Sequence, residues 1–125
     1  MAFDSRGRLF VGDRSNNRIQ IFDQDGKYLD TWTQWGRPSG IFIDKDDTMY
    51  VADSESYGKD QPGVKKGIRI GSAKDGSVKW YIEDMESTTD DHSGAEGVGV
   101  DKDGNVYGAV VRRQMLEKHI KQFKP

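Results

Sequence analysis

Few residues in this chain can do chemistry. It holds no cysteine and only two histidines, His92 and His119. A disulfide scaffold and thiolate metal sites are therefore excluded, leaving imidazole and oxygen ligands. Glu96 follows His92 by four residues; its carboxylate can bind zinc or calcium through oxygen, and His92 could reach the same ion. Arg14 stands in a polar turn directly after Asp13. Its planar guanidinium can hold a substrate carboxylate through two oxygens. Glu55, Tyr57 and Lys59 sit together in a long insertion and could form a rim or lid over a ligand. Each has a plainer alternative: a turn arginine or loop histidine is often only solvated.

Other charged groups read as scaffold. Asp44-Lys45-Asp46-Asp47 and Asp101-Lys102-Asp103-Gly104-Asn105 look superficially like calcium loops, but they lack the distal glutamate and fit turns better. Asp13, Asn17, Arg18 and Asp53 suit side-chain bonds that pin hairpins. His119 is expected to face solvent. Arg112, Arg113, Lys118, Lys121 and Lys124 read as an exposed edge strand, where lysines deter aggregation. No aromatic residue interleaves with that cluster and the net charge is −2, which argues against nucleic-acid binding.

The elements that must position these groups are short strands. Leu9-Phe10-Val11 is an apolar strand run, and Asp13 to Asn17 is turn chemistry. Arg18 to Phe22 mostly alternates polar and apolar, the period of a half-buried strand. Gln24-Asp25-Gly26-Lys27 is a hairpin turn with Asp-Gly as its signal. The pattern recurs: Phe3 to Asp13, Ile43 to Asp53 and Val100 to Val110 align, with Asp4, Asp44 and Asp101 spaced by 40 and 57 residues. A period near 40 with four short strands marks a propeller blade.

The reading is an all-β chain: one partial β-propeller domain over 1–125, with blades at about 1–36, 37–93 and 94–125. The third blade is expected to end with a strand at His119–Phe123, and its fourth strand is missing. The extra residues of the second unit fall into two loops, one between Asp53 and Ile68 and one between Ile70 and Gly97. In a propeller both emerge on one face. Three units cannot close a ring of 4–8 blades. The chain is thus expected to be the C-terminal half of a six-bladed ring, closed by the remaining blades or a second copy. No apolar run approaches the roughly 20 residues of a membrane span. The start enters a strand pattern at once, so no signal peptide is expected.

The run from Asp13 to Phe22, with its Asp, Asn, Arg-Ile and Phe, resembles the NHL repeat, as do Gly26 and Pro38-Ser39-Gly40-Ile41. Among NHL propellers, GDRSNNRIQIF is similar to a segment of the peptidyl-α-hydroxyglycine α-amidating lyases. That resemblance implies a lyase whose anionic, small or peptide-derived substrate sits over the axial channel, with zinc held by histidines and a calcium ion. It places the family's arginine at Arg14 as the catalytic residue. It places axis positions at Ser39 and Glu96, with Glu96 as metal ligand. In this chain the last axis position is Glu rather than His and is followed by Gly97, the pattern that regucalcin and gluconolactonase propellers use for a metal-binding acid. Ser39, Glu55, Tyr57, Lys59 and His92 are the expected ligand-binding residues. A divalent metal, calcium or zinc, is the implied cofactor, and an extracellular or periplasmic location the implied setting. Two alternatives stay open: a non-catalytic scaffold binding a peptide or protein on the same face, and a lactonase-type hydrolase.

Overall fold

A computed structural model describes residues 1–57, 63–89 and 93–122 of the chain. Three antiparallel sheets follow one another. The first contains β1 (Ala2–Phe3), β2 (Leu9–Asp13), β3 (Arg18–Phe22) and β4 (Tyr28–Trp32), in that spatial order. The second contains β5 (Gly40–Ile43), β6 (Thr48–Asp53), β7 (Gly67–Ser72) and β8 (Val78–Glu83). The third contains β9 (Gly97–Val100), β10 (Val106–Val110) and β11 (Met115–His119). Each sheet is a simple meander. No helix among the described residues is long and apolar enough to cross a membrane.

The repeat shows in register as well as in order. Phe10 opposes Ile21 in the first sheet, and Tyr50 opposes Ile70 in the second. The pairing slips after Ile21 and again after Ile70, so both sheets bulge at the same place before their outer strand. A bulge adds twist, which lets flat strands lie against a neighbouring sheet.

The core lies between sheets. Phe10, Ile19 and Ile21 of the first sheet pack with Met49 and Val51 of the second, with Trp35 of the linker closing the layer. Gly71 leaves room for that indole: a Cβ there would lie 2.9 Å from the Trp35 ring. Tyr50, Ala52 and Ile68 on the other face of the second sheet meet Val106 and Val110 of the third. Alternation makes this possible, since successive residues of β6 point to opposite neighbours.

One turn closes the end of the sheets opposite the long loops. Asp4, Asp23, Asp44 and Asp101 each take two backbone amides on one carboxylate oxygen, from the residues two and four further on. The residue three further on has positive φ in every case: Gly7, Gly26, Asp47 and Gly104. Asp47 is the exception in kind, at φ 61°. Aspartate tolerates that region better than most residues. Its carboxylate crosses to the first sheet, accepting Ser5 N at 2.8 Å and Ser5 Oγ at 2.6 Å. Arg8 completes the clamp, bonding Asp4 at 2.7 Å and the Ala73 carbonyl at 2.8 Å.

The third sheet departs from expectation at its end. Its third strand is Met115–His119 rather than His119–Phe123, and Phe123 lies outside the described residues. Val111–Gln114 forms a tight turn, closed by Gln114 N on the Val111 carbonyl at 3.0 Å with Gln114 at φ 52°. The sequence carries no glycine or Asn-Gly there, so the turn was invisible to composition. The basic cluster is also only partly an exposed edge. Arg113 has a side chain 14% exposed, bonded to Asp84 at 2.6 Å and to the Ser93 carbonyl at 3.2 Å. It ties the β8–β9 connection to the third sheet.

Two outcomes follow from the turn chemistry. Asp47→Ala is expected to lower stability by about 1–3 kcal/mol, because the Ser5 donors lose their partner and alanine is strained at positive φ. Asp47→Gly should lose less, since glycine is at ease there; equal losses in urea midpoint would put the Ser5 bond, rather than strain, in control. The second outcome concerns acid. Asn105 first, then Tyr107 and the Asp103 amide, hold the Asp101 carboxyl down from 3.8 to about 2. Ser5 lowers Asp47 in the same direction. A depressed carboxylate stabilises the fold above its unfolded value, and that stabilisation is lost as pH falls toward its folded value. The urea midpoint should therefore fall from pH 4 to pH 2, and less steeply in Asp101→Asn; parallel profiles would reject the assignment.

Candidate functional site

The connections β2–β3, β4–β5, β6–β7, β8–β9 and β10–β11 all leave the same end of the meanders. Arg14, Ser39, Glu55, Tyr57 and Glu96 therefore share one face of the molecule. Lys59 and His92 lie outside the described residues.

Local chemistry places each of these groups. Arg14–Asn16 is a single 3-10 turn ended by Asn17 at φ 56°, whose amide bonds the Arg14 carbonyl at 3.0 Å. Asp13 holds the base of the turn through Asn16 Nδ2 at 2.9 Å and Arg18 Nε at 2.9 Å. Those two partners, Asn16 before Arg18, lower the Asp13 carboxyl. Asn17 acts through its left-handed backbone rather than through a side-chain pin: its Oδ1 is buried without a hydrogen bond. The turn throws the Arg14 side chain toward the second sheet, where Nη1 meets Glu55 Oε2 at 2.9 Å.

Glu55 is set by Asp53, which is wholly buried. Asp53 Oδ1 accepts the amides of Glu55 at 3.1 Å and Ser56 at 2.9 Å. Its Oδ2 accepts Arg69 Nη1 at 2.9 Å and the Arg37 amide at 3.2 Å. One carboxylate thus fixes the insertion, the linker before β5 and an arginine of β7. Arg69 also stacks on Tyr81, 5.1 Å from the ring centre. The Tyr81 hydroxyl donates to the Lys66 carbonyl, and burial pushes its pKa up to about 12. Lys66 itself is wholly buried, its Nζ donating to the Thr89 carbonyl at 2.7 Å and to Ser93 Oγ at 3.2 Å. These bonds anchor the β8–β9 connection, and with it the approach to Glu96.

The two residues expected at the axis, Ser39 and Glu96, occupy equivalent places in their sheets. Ser39 N donates to the Ala52 carbonyl at 2.8 Å, and Glu96 N to the Ala109 carbonyl at 2.9 Å. Each residue immediately precedes an inner strand. The inner strands are close: a Cβ on Gly40 would fall 2.6 Å from the Glu96 carbonyl oxygen. Ser39 Oγ pairs with Ser54 Oγ at 2.7 Å, while the Glu96 side chain is exposed. Tyr57 is 37% exposed on the same face.

The structure thus brings Arg14 and Glu55 into direct contact and sets Ser39 beside Ser54, the neighbour of Glu55. It does not join Glu96 to them. Among the described residues, no three His, Cys, Asp or Glu side chains converge where they could hold a metal ion. Sequence reasoning missed Arg37, whose Nη2 lies 3.7 Å from Glu55 Oε1. The signal was present: Arg37 directly precedes Pro38-Ser39-Gly40, two residues before an axis position.

Known proteins bear on this arrangement only in part. Over 26 residues the chain is 65% identical to Protein lin-41 of Caenorhabditis elegans, covering 21% of this chain and 2% of that protein. Over 33 residues it is 52% identical to NHL repeat-containing protein 3 of Homo sapiens, covering 26% of this chain and 10% of that protein. The chain therefore spans a small fraction of the curated relatives it matches. The family model of the NHL repeat matches residues 1–22, which hold β1, β2 and β3. With three meander sheets packed face to face and an NHL repeat in the first, the chain is a partial β-propeller of NHL type.

Proposed function

We propose that this chain is the ligand-binding part of a non-catalytic NHL propeller, which docks a peptide or protein segment on the face formed by its long connections. The observation that carries this reading is the Arg14–Glu55 pair at 2.9 Å. Arg14 spends part of its planar edge on this internal acid and keeps the rest half exposed. Here the guanidinium already spans two sheets and joins a 3-10 turn to the second-sheet insertion. It braces a polar surface on which the exposed Tyr57 ring is the natural apolar contact. Propellers carry many functions on one scaffold, so the site rather than the fold must decide.

A resident metal fits the described donors poorly. Glu96 presents a single exposed carboxylate, and calcium needs six to eight oxygens. The NHL relatives support the repeat scaffold and leave its ligand to experiment.

The reading is tested by panning a displayed random peptide library against the full chain. Selected peptides should bind with micromolar dissociation constants, weakened about tenfold by Tyr57→Ala, as expected for an interface anchor. Lys45→Ala, in an exposed turn at the opposite end, should change nothing. Failure to select any binder, or binders indifferent to Tyr57, would reject it. So would stoichiometric calcium or zinc in elemental analysis, lost in Glu96→Gln, which would return the metal-dependent enzyme.

A further inference from the structure

Among the described residues of this face, Arg37 is a charged group whose partners are incomplete. Its side chain is 17% exposed. Its Nε is buried and has no hydrogen-bond partner. The acid facing it, Glu55 Oε1, stands 3.7 Å from Nη2, beyond hydrogen-bond length. Glu55 spends its other oxygen on Arg14 at 2.9 Å. A guanidinium carries five donors, and leaving even one of them buried and unbonded, as Nε is here, is costly. Arg69 shows the contrast: with a side chain only 11% exposed, it bonds Asp53 at 2.9 Å and the Lys65 carbonyl at 2.9 Å.

The position is nonetheless rigidly built. The Arg37 amide is held by Asp53 at 3.2 Å, Pro38 packs against Gly12, and the Ser39 amide is paired in the sheet. The backbone at Arg37 is thus fixed, and the guanidinium it carries, 3.7 Å from Glu55, can meet an oxygen from outside without moving the main chain. Charge fixes how much outside acid it takes. Among the described residues Arg14 and Arg37 both pair with one carboxylate, Glu55, so two guanidinium groups share a single acid. That suits one incoming carboxylate better than a polyphosphate backbone, on a chain whose net charge is −2.

We propose that Arg37, with Arg14 beside it, anchors a carboxylate presented by an acidic peptide, whose oxygens reach the solvent-facing Nη end of Arg37 that Glu55 holds only at 3.7 Å. The inference rests on the peptide-binding reading above and names the chemistry of its ligand. Glu55 acts as an internal competitor: it keeps Arg14 neutralised until an acid arrives, and it must share or yield both arginines when one does.

The test uses the full chain and fluorescein-labelled hexaglutamate, with hexaglutamine as control and a single-stranded RNA dodecamer as rival. Hexaglutamate should bind and hexaglutamine should not. Arg37→Gln should weaken hexaglutamate about tenfold, and Arg37→Lys should not restore it, because the fork is lost. Glu55→Gln should tighten binding by removing the competitor. In the unaltered protein the Arg37 Nε–H resonance should shift on titration, a readout that does not depend on any variant folding. An unmoved resonance with unchanged affinity in Arg37→Gln overturns the proposal. RNA that displaces hexaglutamate and moves the same resonance overturns it in favour of nucleic acid. Library peptides that need Tyr57 but carry no acid and ignore Arg37 also overturn it, while leaving the peptide-binding reading intact.

Discussion

A short twisted sheet cannot bury its own faces, and that constraint governs this molecule. Four strands of four to six residues make a core only when laid against another sheet. The second sheet shows the solution most fully, with Met49 and Val51 turned to one neighbour and Tyr50 and Ala52 to the other. Nearly every residue of β6 is therefore buried although the strand alternates. The sequence signature is a continuous apolar run bounded by turn residues, as for a strand covered on both sides.

Polar groups at the two ends of the sheets solve different problems. At one end the Asp turns close mainly on their own residues, and among the described residues Asp47 and Arg8 carry the bonds of these turns across to a neighbouring sheet. At the other end the connections are long, and their order comes from buried carboxylates that serve several segments at once. Asp53 holds parts of three connections or strands, and Asp84 with Arg113 holds two. Function gathers where the backbone is least repetitive, because that is where side chains must replace sheet bonding.

Much of this was legible in the sequence. The spacing of Asp4, Asp44 and Asp101 located the sheets, and Leu9 to Gly26 contained a whole hairpin pair with its turns. The shared face of Arg14, Ser39, Glu55 and Glu96 also follows from counting strands. Partnership was less legible. Arg14 and Glu55 are 41 residues apart, and no local pattern pairs them. Arg37 sits beside a repeat motif, and nothing in its own spacing marks it. Arg113 looked like solvated edge and is instead an interior tie. The β10–β11 turn escaped notice because Gln114 takes the left-handed conformation without a glycine to announce it. Periodicity reports what repeats, and these residues matter where the repeat is broken.

The near-collision of Gly40 with the Glu96 carbonyl carries a wider consequence. Inner strands that approach this closely pave the middle of the molecule with main chain and leave side chains little room there. Beyond that packed main chain the first side chains are those of the single residue preceding each inner strand: a serine from the second sheet, a glutamate from the third. Such residues can be exchanged without disturbing any seam between sheets. Exchanging such a residue would alter the surface beside the inner strands while their close main-chain approach stays in place.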